Sequence, residues 1–173
     1  MREGLCRILS EDTLNLHKNY LKDLKLKYSV WEKSIPEISG KGIREISRMR
    51  IKEKEEIQAL LLEILCHDVY FSSFGKEYQR SFEVKKRFRT EASFLYELYE
   101  ASKNESEGFL LIYFNRGLVD YTFANKGSIL RCEPILALDL CEHSFFLDFG
   151  FDRDSYLKKS LSLINLNSLD NFL

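Results

Sequence analysis

Leu14, Leu21 and Leu24, with His17 on the same stripe, recur at the three- and four-residue spacings of one helix face, which predicts a helix over residues 10–28. Ser10 suits its N-cap, and Glu11 and Asp12 place acids where the helix dipole favours them. Pro36, Gly40 and Gly42 predict a loop over 29–49, with one short helical turn near Glu45. Residues 50–74 carry the strongest helical pattern: charged at 52–56, then apolar at Ile57, Leu60, Leu61, Ile64 and Leu65, with Gly75 placed as a C-cap. One or two further helices are predicted over 81–103. The period then changes. Residues 108–114 are β-branched and aromatic, Asn115-Arg116-Gly117 reads as a hairpin turn, 118–124 as the return strand and 134–140 as a third strand. A helix follows from Arg153. The pattern is α+β: an N-terminal helical hairpin, then helices around a small three-stranded antiparallel sheet.

Composition narrows the function. The 173 residues include 13 Phe and 9 Tyr, enough apolar mass for a core, and 26 basic against 27 acidic side chains leave a net charge of −1. That balance argues against nucleic-acid binding, which needs a basic excess. No apolar run approaches the length that spans a bilayer, and the first residues do not read as a signal peptide, so no membrane partner and a cytoplasmic setting are expected. The four cysteines (Cys6, Cys66, Cys132, Cys141) are then expected as thiols.

Of the three histidines, His17 and His67 fall on apolar helix faces. Charge would be costly there, so both are expected neutral, the form that ligates metal and equally the form of an ordinary core histidine. His143 follows Asp139 by four residues at the end of an apolar strand, offering an imidazole and a carboxylate, with Glu142 beside them. That spacing alone is weak evidence.

The run Glu133-Pro134-Ile135-Leu136-Ala137-Leu138-Asp139-Leu140-Cys141-Glu142-His143-Ser144-Phe145-Phe146-Leu147-Asp148-Phe149 resembles the signature of the iron/manganese superoxide dismutases, and Arg153-Asp154-Ser155-Tyr156-Leu157 is similar to the segment that follows it there. Upstream, the segment ending at His17 and Leu65-Cys66-His67-Asp68-Val69-Tyr70-Phe71 are similar to that family's two metal-bearing helices. The resemblance runs from residue 9 onward. It implies a helical lobe at 1–78, an α/β lobe at 79–173 and a metal site between them. The implied ligands are His17, His67, Asp139 and His143 around one Fe or Mn ion per subunit, with a bound solvent molecule that hydrogen-bonds to Asp139. The implied activity is conversion of superoxide to O₂ and H₂O₂. It further implies a homodimer in which Glu142 reaches His143 of the other subunit across a two-fold axis.

The chain also departs from the family. Where the family has a His and a Tyr four and eight residues after its first ligand, this chain has Leu21 and Lys25. Tyr20, one turn from His17, and Tyr28, about 16 Å along the helix at 1.5 Å per residue, are the stand-ins for the gateway tyrosine. Glu63, four residues before His67, and Lys126 occupy the two places from which the family draws its gateway glutamine. Phe109 and Cys141 replace tryptophans, Trp31 is expected to pack rather than act, and Tyr156 matches a tyrosine that in the family bonds a histidine across the interface, a histidine this chain lacks. The altered surroundings leave a second reading: a dismutase-fold protein that binds metal with weak or no turnover, in a structural or interaction role. A zinc site built from Cys66, Cys132 or Cys141 with a histidine is a weaker alternative, since no Cys-x-x-Cys pair exists. Lys85-Lys86-Arg87-Phe88-Arg89, the most basic stretch, could steer an anion but reads more readily as a solvated face.

Overall fold

The computed structural model describes residues 4–46, 48–75, 80–125 and 132–172. Its helices are α1 (Glu11–Ser34), α2 (Ile43–Ile46), α3 (Lys54–Ser72), α4 (Phe82–Lys85), α5 (Glu91–Ser102), α6 (Phe146–Phe149), α7 (Arg153–Ser162) and α8 (Asn167–Asp170). Its strands are β1 (Phe109–Asn115), β2 (Leu118–Ala124) and β3 (Leu136–Asp139), antiparallel in the order β2-β1-β3. The architecture is α+β, as the pattern predicts.

The α1 N-terminus forms as expected. Ser10 accepts a hydrogen bond from the Thr13 amide at 3.3 Å. A second bond secures it, because the Ser10 amide donates to Asp148 on α6 at 2.8 Å. The helix runs six residues past the expected end at 28. It stops only where Pro36 forces Ile35 out of helical geometry (φ −133°, ψ 79°). No residue before Pro36 interrupts hydrogen bonding, so the loop signal of the following glycines does not reach back into Tyr28 and Trp31. Both side chains instead pack on a small cluster of Ile38, Ile46 and Ile57, and α2 is the short turn expected near Glu45.

α3 begins four residues later than its pattern suggested, and its C-cap is Ser73 rather than Gly75. The Gly75 amide donates to the Leu163 carbonyl at 2.9 Å, so this glycine joins the C-terminal segment and caps nothing. The 81–103 region divides into α4 and α5 at the Thr90 N-cap. The hairpin turn is Arg116-Gly117, with φ of 52° and 80°; two left-handed residues make the type I′ turn that suits a tight hairpin. The third strand is shorter than predicted: all four of its residues are buried.

α1 and α3 pack against each other, and α3 lies on β3. One large core draws Leu14, Leu62, Cys66 and Tyr70 from the helices, Leu110, Leu111, Leu136 and Leu138 from the sheet, and Leu157 and Leu161 from α7. Each such aliphatic or aromatic side chain contributes about 1.5–3 kcal/mol on burial. Register then delivers one acid to this interior. Asp139, the last residue of β3, is paired with Phe109, the first of β1. Just before Phe109, Gly108 has φ of 86°, and a Cβ there would meet the Ala124 carbonyl oxygen at 2.5 Å. Glycine is required for the sheet to close beside Asp139.

Candidate metal centre

Four elements converge at the end of β3. α1 supplies His17 and, one turn on, Tyr20. α3 supplies Glu63 and His67 at i and i+4, hence on one face. β3 supplies Asp139, and the 3-10 turn Glu142–Ser144 supplies His143. The Asp139 Oδ2 atom lies 3.0 Å from His17 Nε2, 3.1 Å from His143 Nε2 and 3.6 Å from His67 Nε2. One donor atom from each of these four residues lies within 4.8 Å of the others, the only such group of His, Cys, Asp and Glu found among the described residues.

The tautomer of His67 is set from behind. Its Nδ1 lies 2.7 Å from the Glu63 carbonyl, which can only accept, so the ring proton is on Nδ1 and the Nε2 lone pair faces the cluster. That Nε2 is buried and has no hydrogen-bond partner. A lone pair facing a carboxylate in a dry interior is costly unless a cation lies between them. Three imidazoles and one carboxylate form a donor set that suits iron or manganese, so the residues fit the ion they could hold.

Charge follows geometry. Burial alone would raise the Asp139 carboxyl, but hydrogen bonds and charge from His143 and His17 hold it well below the usual carboxylate range. Burial lowers His67, against the pull of Asp139, and so keeps it neutral as a ligand must be. His143 goes the other way: burial is outweighed by its bond to Asp139 and by the charges of Asp139 and Glu63.

The walls are aromatic. Tyr70 and Phe71 lean on the His17 ring at 5.1 and 5.5 Å, and Phe109 meets His67 edge-on at 5.0 Å. Tyr20 lies against both His67 and His143, at 5.4 and 5.2 Å, and its hydroxyl donates a short hydrogen bond to Glu63. The two sequence candidates nearest the ligands thus meet each other at the cluster. Tyr28 does not take part, since its hydroxyl donates to the Ile38 carbonyl in the separate small cluster. Lys126 lies outside the described residues. Leu21 is buried as packing, and Lys25 pairs with Asp68 at 2.7 Å.

Glu142 is exposed beside His143 and lies outside the ligand group. Tyr156, whose family partner histidine is absent here, bonds within its own chain. It is fully buried, and its hydroxyl donates to the Asp139 carbonyl of its own chain at 2.7 Å, so it does not reach across an interface. Among the described residues no cysteine falls in a group of side chains that could hold a metal. Cys141 Sγ accepts from the Gly108 amide at 3.2 Å, and burial pushes the thiols of Cys66 and Cys141 up to about 12. The basic run is occupied elsewhere, with Lys85 on Glu91, Lys86 on Glu83 and Arg87 on Asp120. Arg87 also reaches the Val119 carbonyl. Val119 pairs with Phe114, about 17 Å along β1 from Phe109 at strand rise, so this is not a rim of the cluster.

Two supports escaped the reading of the sequence. One is the Asp148 bond to the α1 N-terminus. The other is the Cys141 amide, which donates to Asp139 Oδ1 at 2.9 Å and leaves Oδ2 for the cluster. Cys141 and Asp148 flank the turn that carries His143, and no spacing rule marks either contact.

A search of curated proteins returns no match. Residues 76–171, more than half of the chain, match the family model of the C-terminal domain of iron/manganese superoxide dismutases, a segment that includes Asp139 and His143. The chain belongs to the iron/manganese superoxide dismutase family.

Proposed function

We propose that the protein is a superoxide dismutase that holds one iron or manganese ion through His17, His67, Asp139 and His143. The observation that carries this is the convergence of three Nε2 atoms on one buried carboxylate oxygen, with His67 Nε2 unpartnered. When bound, the ion would take one electron from one superoxide, releasing O₂, and give one electron to a second, which with two protons from solvent becomes H₂O₂. The chain's own residues do the rest. His67 is held by the Glu63 carbonyl with its lone pair inward. Asp139 keeps Oδ1 on the Cys141 amide and presents Oδ2. Tyr20 and Glu63 form a hydroxyl–carboxylate pair over the imidazoles, in the place of the family's tyrosine and glutamine. His17 and His67 are sealed by Tyr70, Phe71 and Phe109, so the accessible side of the site is that of His143 and Tyr20.

The homodimer belongs to the same reading. The His143 side chain is 37% exposed, an open flank for a ligand. Around it, Phe146, Leu147 and Phe151 are exposed at 44%, 61% and 93%. Glu142, Phe146, Phe151 and Arg153 line a shallow cavity of about 270 Å³. A second copy would cover this apolar face and bring its Glu142 to His143.

The second reading, metal binding with little turnover, draws on Glu63. A carboxylate beside the approach of an anion repels it, and when ionised it has no proton to donate. Metal analysis of the purified protein paired with a superoxide assay separates the readings. Stoichiometric iron or manganese with activity lost in Asp139→Ala and His143→Ala is expected. Stoichiometric metal without activity selects the second reading, and no metal overturns both.

A further inference from the structure

We propose that Tyr156 is a positioning residue for the metal centre: its buried hydroxyl, bonded to the Asp139 main-chain carbonyl, fixes the direction in which that residue's carboxylate enters the cluster. This rests on the reading of the cluster as an iron or manganese site. Asp139 and His143 sit on one short turn at the end of β3, and much of what holds the turn is local. The Cys141 amide takes Asp139 Oδ1, and the Ser144 hydroxyl bonds the Cys141 carbonyl at 2.6 Å. Tyr156 comes from α7, outside the turn. Its 2.7 Å bond to the Asp139 carbonyl is much shorter than the 3.3 Å contact that Ser144 makes to the same oxygen.

Tyr156 is itself held rigidly. Its ring stacks on Phe145 at 4.8 Å with 21° between planes, and meets Phe149 edge-on at 5.7 Å. The next residue, Leu157, is buried in the core. At the start of α7, Arg153 donates to the Ser102 carbonyl at 3.1 Å and also to that of Glu105, which clips the helix to the end of α5. The hydroxyl is therefore a fixed point to which the tight turn bearing Asp139 and His143 is fastened. Supporting groups of this kind set ligand orientation and metal affinity without touching the ion.

The test is Tyr156→Phe, which keeps the ring and its stack and removes one hydroxyl. Wild type and variant are titrated with Mn(II) or Co(II) alone. Affinity is expected to fall about tenfold, with a changed Co(II) visible spectrum and Mn(II) zero-field splitting in the loaded protein. Leu157→Val is the control, since it loosens the same helix but breaks no hydrogen bond. It is expected to lower the melting temperature while leaving affinity and spectra unchanged. Wild-type affinity and spectra in Tyr156→Phe overturn the inference, as does an equal change in Leu157→Val. Should the Phe variant not fold, Phe149→Leu, which keeps the Tyr156 hydroxyl but removes a ring that holds it in place, is expected to weaken binding in the same direction, and unchanged affinity there overturns the inference. A wild-type chain that takes up no metal overturns the centre as well, whereas a wild type that binds beside an unaffected Tyr156→Phe overturns this inference alone.

Discussion

The two sides of the cluster of His17, His67, Asp139 and His143 are built on opposite terms. The inner wall consists of Asp139, His17, His67, Tyr70 and Tyr156, each 1% exposed or less. The outer rim consists of His143, Tyr20, Glu63 and Glu142, each open to solvent to some degree. On the wall, most polar groups are fixed from behind the cluster: His67 by the Glu63 carbonyl, Asp139 by the Cys141 amide and the Tyr156 hydroxyl, with His17 on Asp139 itself. On the rim they are fixed by each other, as Tyr20 is by Glu63. On the proposed reading, the wall together with His143 governs whether an ion is held, and Tyr20 and Glu63 on the rim govern how fast an anion reaches it.

That division is broken most directly at Asp139. Asp139→Ala is expected to cost more metal affinity than the 10–100-fold that loss of a supporting hydrogen bond costs, because the only carboxylate among the four ligands is gone. Isothermal titration with Mn(II) checks this, and retained stoichiometric binding would show that the wall does not hold the ion. Leu138→Ala tests the same wall through packing. Leu138 is fully buried one residue before the carboxylate, and its truncation is expected to cost about 2–5 kcal/mol by urea unfolding.

On the rim the expected effects are kinetic. Glu63→Gln keeps an oxygen for the Tyr20 hydroxyl but removes a negative charge from the approach of superoxide. Turnover is expected to rise about tenfold with metal content unchanged. Wild-type turnover should climb with added salt, which screens the repulsion, while the variant should be flatter or fall. A variant slower than wild type would mean that the carboxylate works in proton delivery, and that the rim does chemistry as well as steering. Glu142→Ala should leave metal binding by the isolated wall intact and shift the mass in dilute solution toward monomer. Unchanged mass would remove Glu142 from the subunit contact.

The same contrast explains what the sequence made legible. Wall ligands sit on periodic elements: His17 shares its stripe with Leu14, Leu21 and Leu24, and Asp139 closes a strand that is buried throughout. Periodicity and a family-like signature both point at such residues. Rim partners are chosen by tertiary placement. Tyr20 and Tyr28 are equally plausible along one helix. What separates them is that Ile38, Ile46 and Ile57 form a buried cluster where Tyr28 arrives, whereas Tyr20 faces Glu63 on α3. Tyr156 was readable as a family position, but its partner was not, because a bond from α7 to a main-chain carbonyl leaves no trace in either segment's pattern. Gly75 misled for a similar reason, since a glycine after a helix looks like a cap until the C-terminal segment claims its amide.

The smallest expected effect lies where wall and rim are tied together. Asp148 follows the rim turn, yet it accepts the Ser10 amide at the start of the helix that carries His17. Burial would raise its carboxyl, but the hydroxyls of Ser10 and Thr13 and the Ser10 amide hold it below the ordinary range. A carboxyl lower in the folded chain than in the unfolded one stabilises folding above its unfolded value, and that stability is lost as pH falls through the folded value. The protein should therefore lose stability on the acid side of the ordinary carboxylate range, in part through this one group. Asp148→Asn keeps an acceptor oxygen but no charge. It is expected to cost about 0.5–1 kcal/mol at neutral pH, as for an exposed hydrogen bond. It should also flatten the acid limb of stability against pH, measured by urea midpoints across the acid range. If the variant and wild type converge at low pH, the tie is electrostatic. A constant offset at every pH would instead mean that Asp148 acts through packing, and that α1 is seated on the rim by shape rather than by charge.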